Sequence, residues 1–347
     1  MNRTTLFRII GISFGLLLGA IVAEIGFRFH HFLNYYDQDH IQTQNRPPIL
    51  QPEQELHLGQ IIQQSAYPNI IYELIPSSRY QFQQVPISIN KQGFRDQEYP
   101  AQKKPNTKRI IGLGDSVMFG WGVDVKDCFL SFLERALNSI NPMAYEVINT
   151  AVPGYNTVME IATLEHKIDL NQVDLVIINF VKNDFDLPNF IQKKPRYLSI
   201  KKSFILQKFE DNKGFDPRLR DAPFDDTNQR FQRDPKQVPE IYQDMVGEEA
   251  FLKAMKKLKQ LSDTYQFEVI VLSHSPFIQP PEIVKNVETH FQFQFLDAAS
   301  AWEKYKTQHP EAIWEVKEKD YHPSAVGHQV IAEVLKQYIV QSFKRPK

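Results

Sequence analysis

The stretch RIIGLGDSVMFGWGV, residues 109–123, decides how the chain is read. Its first part, RIIGLG, is a short and nearly continuous apolar run, the pattern of a strand covered on both faces. It runs into Gly114-Asp115-Ser116, and two more glycines follow. A serine there is either exposed at the end of a buried strand or part of an ordinary glycine-loosened turn. What the remaining segments bring to the same edge separates the two readings.

Moving outward, DCFLSFLERALNSIN (127–141) places Phe129, Phe132, Leu133, Ala136, Leu137 and Ile140 on one helical face. YEVINTAV (145–152) reads as a second strand, and NTVMEIATLEHKI (156–168) as a helix with Asn156 or Thr157 as its N-cap. DLVIINFV (174–181) is a third strand. EEAFLKAMKKLKQLSDTY (248–265) is a helix leading to a fourth strand, FEVIVLSHS (267–275). FQFLDA (293–298) is a weaker fifth strand, and the closing PSAVGHQVIAEVLKQYIVQSF is a helix with Val330, Val334, Leu335, Tyr338 and Ile339 along one face. Strands alternating with helices predict an α/β fold with a mostly parallel five-stranded sheet and right-handed crossovers. Residues 33–106 are rich in Gln, Pro, Asn and Tyr and read as an irregular extension with short strands such as RYQFQQVPISIN. The main domain is expected over 107–343, interrupted by a long insertion at 186–246. Within that insertion, 192–208 carries six Lys or Arg and no acid. It reads as a solvated surface, or as a lid or rim that meets an anionic polymer or lipid headgroups.

The chain has 347 residues, with 40 Lys and Arg against 41 Asp and Glu, a net charge of -1. No electrostatic footprint for nucleic acid appears, since such domains are usually basic over one face, and no nucleic-acid partner is expected. Cys128 is the single cysteine, so neither an intramolecular disulfide framework nor a cysteine-rich metal site can form. IIGISFGLLLGAIVA, between Arg8 and Glu24, is fifteen residues without a charge. Thr4 to Phe7 extend it toward the roughly 20 residues of a spanning helix. A signal peptide is the competing reading, but a cut after Ala23 or Ala20 would put Ile21 or Leu18 where a small residue is preferred. Residues 1–32 are therefore read as an uncleaved single-pass anchor. Arg3 and Arg8 precede it, which leaves the N-terminus cytoplasmic and the main domain outside, periplasmic or extracellular.

Open parallel sheets bind ligands at the carboxyl ends of their strands. Asp115-Ser116 follow the first strand, VPGYN with Gly154 the second, KNDF with Asn183 the third, SHSP with His274 the fourth, and KDYHPSAVGH with His322 comes after the fifth. A serine, a glycine turn, an asparagine and a histidine on one rim can supply a nucleophile, oxyanion donors and a base. Taken singly they have plainer readings: a helix-capping serine, a turn glycine, a strand-end asparagine and a surface histidine. Glycine can take φ > 0 and let a substrate oxygen approach its N–H, and asparagine offers two donors without a charge.

In these four ordered blocks the chain resembles the SGNH hydrolases, the GDSL-type lipase and esterase family, over about residues 106–343. GLGDS, AVPGYNT, VKND and DYHPSAVGH match the family's blocks in order. The resemblance implies a three-layer α/β/α sandwich of flavodoxin-like kind, with Ser116 as nucleophile and His322 as general base. It also implies an oxyanion hole from the backbone N–H groups of Ser116 and Gly154 and the amide of Asn183. INKQGFRDQEYP (89–100) and YQDMVGEEA (242–250), with the anchor, resemble membrane-tethered exported members. Two positions depart from the pattern. Val181 stands where many relatives carry glycine, and Lys319 stands where the family's aspartate precedes the histidine by three. Asp320 is taken as the third catalytic residue, with Glu318 or a Ser–His dyad as alternatives. Asp115 is read as a scaffold tie, His328 as structural, and His274 as a packing or surface residue.

The sequence thus reads as a membrane-tethered serine esterase of the cell envelope acting on an acylated small molecule, lipid or glycan, with no cofactor and no metal. An O-acetyltransferase of an envelope polysaccharide and a non-enzymatic envelope assembly protein on the same fold are the alternatives. A nucleotide-binding reading of GLGDSVMFGWG fails, because the G-x-G-x-x-G order and an acidic residue at the next strand end are missing.

Overall fold

The structure is a computed structural model describing residues 2–45, 55–142, 144–192, 203, 205–206, 224–226 and 232–342. The chain divides into two compact units, one of residues 1–48 with 193–222, the other of 49–192 with 223–347.

The first unit contains α1 (Arg3–Asn45). Within Arg3–His30 the most apolar window of 18 residues has a mean hydropathy of 2.2 and is not buried by protein. That stretch of 28 residues is long and apolar enough to cross a bilayer, compatible with a single-pass membrane anchor. Within this unit Glu24 pairs with Arg28 at 2.6 Å and accepts from Ser203 Oγ at 2.9 Å and from Ile205 N at 3.2 Å. The six basic residues of 192–208 lie outside the described residues.

In the second unit, residues 55–106 fold more regularly than their composition predicts. A hairpin of β1 (Arg79–Phe82) and β2 (Val85–Ser88) turns through Gln83 and Gln84, both at positive φ (52° and 63°). Such a turn usually carries Asn or Gly, so nothing in the Gln-Gln pair announced it. Tyr72, Tyr80, Phe82 and Phe94 of this segment are fully buried.

The sheet is formed by β3 (Lys108–Leu113), β4 (Tyr145–Asn149), β5 (Leu175–Phe180), β6 (Glu268–Ser273) and β7 (Gln294–Asp297). All five are parallel, in the order β7-β6-β5-β3-β4. Every residue of β5 is buried, which is why its sequence LVIINF alternates so little. Helices α4 (Thr157–Lys167) and α5 (Gly247–Tyr265) cover one face. Ile161, Leu164, Met255 and Leu258 share a core there with Ile111, Leu113, Val176, Ile178 and Val271. The other face carries α3 (Phe129–Ile140), which packs on α7 (Ala325–Ser342), with α6 (Ala299–Gln308) beside it. The result is the three-layer α/β/α sandwich. Asn156 caps α4, its Oδ1 accepting from Met159 N at 3.2 Å.

The long insertion leaves and re-enters the second unit through an antiparallel ribbon of Phe190–Gln192 with Phe224–Asp226. The topology reverses direction between β3 and β5: the chain first moves outward to β4, then crosses back to β5 and continues to β7. Doubly wound sheets open a ligand crevice at that reversal.

The close seat of α3 gives a measurable consequence. A Cβ added at Gly112 would lie 2.2 Å from Leu130 Cδ1 and 2.8 Å from Met118 Sδ. Gly112→Ala is expected to lower unfolding free energy by about 1–3 kcal/mol, as overpacking does, read from the urea midpoint at unchanged slope.

Candidate active site

Ser116 opens α2 (Ser116–Phe119), a single turn that follows β3 at the reversal point. Asp115 is its N-cap, accepting from Val117 N at 3.0 Å. The other Asp115 oxygen lies 3.1 Å from Asn183 Nδ2 and 3.3 Å from Ser116 Oγ. Burial pushes the Asp115 carboxyl above the ordinary carboxylate range. The Val117 N–H, the Asn183 amide, the nearby His322 and the Ser116 hydroxyl pull it back. Asp115 thus ties the turn to the scaffold.

His322 is 206 residues further along, and its Nε2 lies 2.8 Å from Ser116 Oγ. Its Nδ1 contacts Asp320 Oδ1. With Nδ1–H donated to that carboxylate, Nε2 is left as an acceptor for the serine hydroxyl. Glu318 does not face the ring: its side chain is 86% exposed and lies 3.8 Å from Lys319 Nζ. The loop manages the unusual two-residue spacing through its backbone. Lys319 and Tyr321, on either side of Asp320, both take positive φ (63° and 66°), folding the chain tightly enough to bring carboxylate and ring together. Val316 N donates to His322 O at 2.9 Å, and Glu315 bridges Pro323, closing the loop at its base.

Gly154 has φ +79°. A Cβ there would meet Tyr72 Oη at 2.7 Å and Asn189 Nδ2 at 3.0 Å, so both conformation and space require glycine. Tyr72 braces this turn from the preceding segment by donating to Pro153 O at 3.0 Å. Among the described residues, no hydrogen bond uses the backbone N–H of Ser116 or of Gly154. Asn183 Nδ2 is directed at Asp115, with Tyr155 O further off at 3.5 Å. Val181, which precedes Lys182 and Asn183 at the end of β5, donates its N–H to Asp184 Oδ2 at 3.1 Å.

Several supporting residues had no signal in the sequence. Asp184 and Glu160 are buried behind this rim, and both carboxyls are pushed well above the ordinary range, by burial first, then Glu160 by Asp184 and Asp184 by Asp115. Trp121 lies flat on His322, with ring centroids 5.0 Å apart and planes 12° apart. No cluster suited to a metal ion occurs among the described residues. His274 is buried and packed, and burial lowers its pKa to about 4. His328 is fully buried, its Nδ1 accepting from Phe129 N at 3.2 Å and its ring stacked on Phe129.

The fold and this constellation define an α/β protein with a serine, histidine and aspartate in hydrogen-bonding contact at the crevice of a doubly wound sheet. Among solved structures it is similar to an acetylxylan esterase, Axe2, from Geobacillus stearothermophilus. The match has 14% identity and a TM-score of 0.40, covering 71% of this chain and 100% of that one. A protein described as lipolytic, of the G-D-S-L family, from Desulfitobacterium hafniense DCB-2 matches at 12% identity and a TM-score of 0.39. The match covers 67% of this chain and 99% of that one. The acetyl xylan esterase AlAXEase matches at 12% identity, TM-score 0.40, over 67% of this chain and 99% of its own. No protein-family model and no curated protein matches the chain. The functional reading therefore rests on the residues themselves.

His328 gives a prediction in pH. Burial lowers its pKa from 6.5 to about 3, so between those values the unfolded chain binds more protons than the folded one. Stability held by the neutral ring is full above pH 6.5 and is lost as pH falls toward 3. In His328→Asn this slope, about 1.4 kcal/mol per pH unit for one proton, is expected to vanish. Denaturant titrations of both proteins from pH 7 to pH 4 measure it.

Proposed function

We propose that the protein is a membrane-tethered serine hydrolase that cleaves ester bonds, with its catalytic domain on the extracytoplasmic side. One observation carries the reading: Ser116 Oγ, 2.8 Å from His322 Nε2, with Asp320 on the other ring nitrogen, is a hydroxyl in hydrogen-bonding contact with an oriented base. Arg3 and Arg8 before the apolar span support the orientation in the membrane.

In this mechanism His322 Nε2 takes the Ser116 proton as Oγ attacks the ester carbonyl, and Asp320 stabilises the imidazolium that forms. The oxyanion accepts from the N–H groups of Ser116 and Gly154 and from an Asn183 amide hydrogen. Asp115 holds that amide in place through one hydrogen, and the other exchanges its long contact with Tyr155 O, at 3.5 Å, for the substrate oxygen. Collapse of the tetrahedral intermediate passes the proton to the leaving alcohol. Water, or a sugar hydroxyl, then takes the acyl group from Ser116.

Ser116→Ala is expected to abolish both p-nitrophenyl acetate hydrolysis and labelling by a fluorophosphonate probe without changing the melting temperature. Undiminished turnover would defeat the assignment, and an unlabelled wild type would identify an inert scaffold. Asn183→Ala should lower kcat about 10²–10³-fold, the usual loss for one oxyanion donor. Equal kcat in that variant would remove Asn183 from the oxyanion hole.

A further inference from the structure

Two hydrogen bonds to its nitrogens do not fully fix an imidazole. A ring held at Nδ1 and Nε2 can still pivot about the line joining them, tipping its plane while both contacts persist. In this protein that pivot is blocked by the face of Trp121, parallel to the ring within 12°.

Trp121 is itself held. It sits in the turn between α2 and α3, flanked by Gly120 and Gly122, both at positive φ (85° and 72°). Phe82 of the hairpin meets the indole edge-on at 4.9 Å. The turn is clamped by Arg95, a side chain only 1% exposed. Its Nη1 donates to Phe119 O at 2.9 Å and Gly120 O at 2.6 Å, and its Nη2 to Val123 O at 2.7 Å. The guanidinium also lies 4.9 Å from the centroid of the Phe119 ring. Among the described residues no carboxylate lies within ion-pair distance of Arg95. A buried cation with only carbonyls, the Cys128 sulfur at 4.0 Å and a ring for company is costly unless its fork geometry is used, and here every carbonyl acceptor belongs to the turn that carries Trp121.

We propose that Trp121 is a positioning residue for the general base, setting the plane of the His322 imidazole against Ser116, and that Arg95 acts through it by fixing the turn. The proposal rests on the hydrolase reading. The indole face also favours the positive charge that develops on the ring as it takes the serine proton, so the contact strengthens toward the transition state. Loss of the indole should therefore appear in kcat.

The test compares Trp121→Phe with Trp121→Leu in the full-length chain, purified in detergent. Both remove volume, but only phenylalanine keeps a flat ring. For p-nitrophenyl acetate, Trp121→Leu is expected to lower kcat about 10–100-fold, the scale of a misplaced catalytic group, with KM within about twofold of wild type. Trp121→Phe is expected to restore most of that loss. Trp121→Met replaces the leucine variant where the latter does not fold. Equal kcat in the flat and non-flat variants, or a loss confined to KM, overturns the proposal, the second outcome making Trp121 a substrate-binding wall. A wild type that neither turns over nor labels Ser116 overturns the hydrolase reading and this inference with it. A labelled, active wild type with indistinguishable variants overturns this inference alone.

Discussion

Asp115 spans the crevice between β3 and β5, accepting from the amide of Asn183 on one oxygen and from the Val117 N–H on the other, with Ser116 Oγ 3.3 Å from the first. The interaction joins two strand ends separated by 68 residues of chain. Taking a carboxyl out of water is expensive unless donors replace the lost hydration. Two N–H donors, with the Ser116 hydroxyl close by, make that replacement at this edge. The arrangement therefore fixes where serine and asparagine stand before any substrate arrives, and it places them at the point where the sheet's winding reverses.

His322 reaches this edge by different means. No regular element carries His322; it rides on a loop pinned at its base by Val316 and Pro323 and shaped by two left-handed residues. Asp320 and His322 stand only two positions apart in the chain, a short interval for two side chains that meet. That interval is accommodated by conformation, so spacing in the chain and spacing in the site are separate matters.

Much of the fold was legible in the sequence because it lies in short-range pattern. The amphipathic period of 129–140, the Asn156 cap and the apolar run of β5 each reflect one local demand, and the structure has all three. The four rim residues could also be located, since parallel strands deliver their carboxyl ends to one side. What stayed hidden depends on contacts remote in sequence or on backbone states with no residue signature. Gln83, Gln84, Lys319 and Tyr321 take left-handed conformations without being glycine or asparagine. Arg95 looked like one polar residue in an irregular stretch, because its acceptors lie 24 to 28 positions away. Tyr72 reaches Pro153 across 81 positions. Asp320 could be nominated, but only the turn geometry distinguishes it from Glu318.

The ribbon of Phe190–Gln192 with Phe224–Asp226 sets the two ends of the insertion side by side. Closing a loop whose ends are already fastened depends only weakly on its length, each doubling adding about 0.6 kcal/mol. The sheet therefore does not register how much chain passes through that neck. Lengthening, trimming or exchanging the excursion is a change outside the strand ladder, so this neck is where the chain can take a difference in length most cheaply.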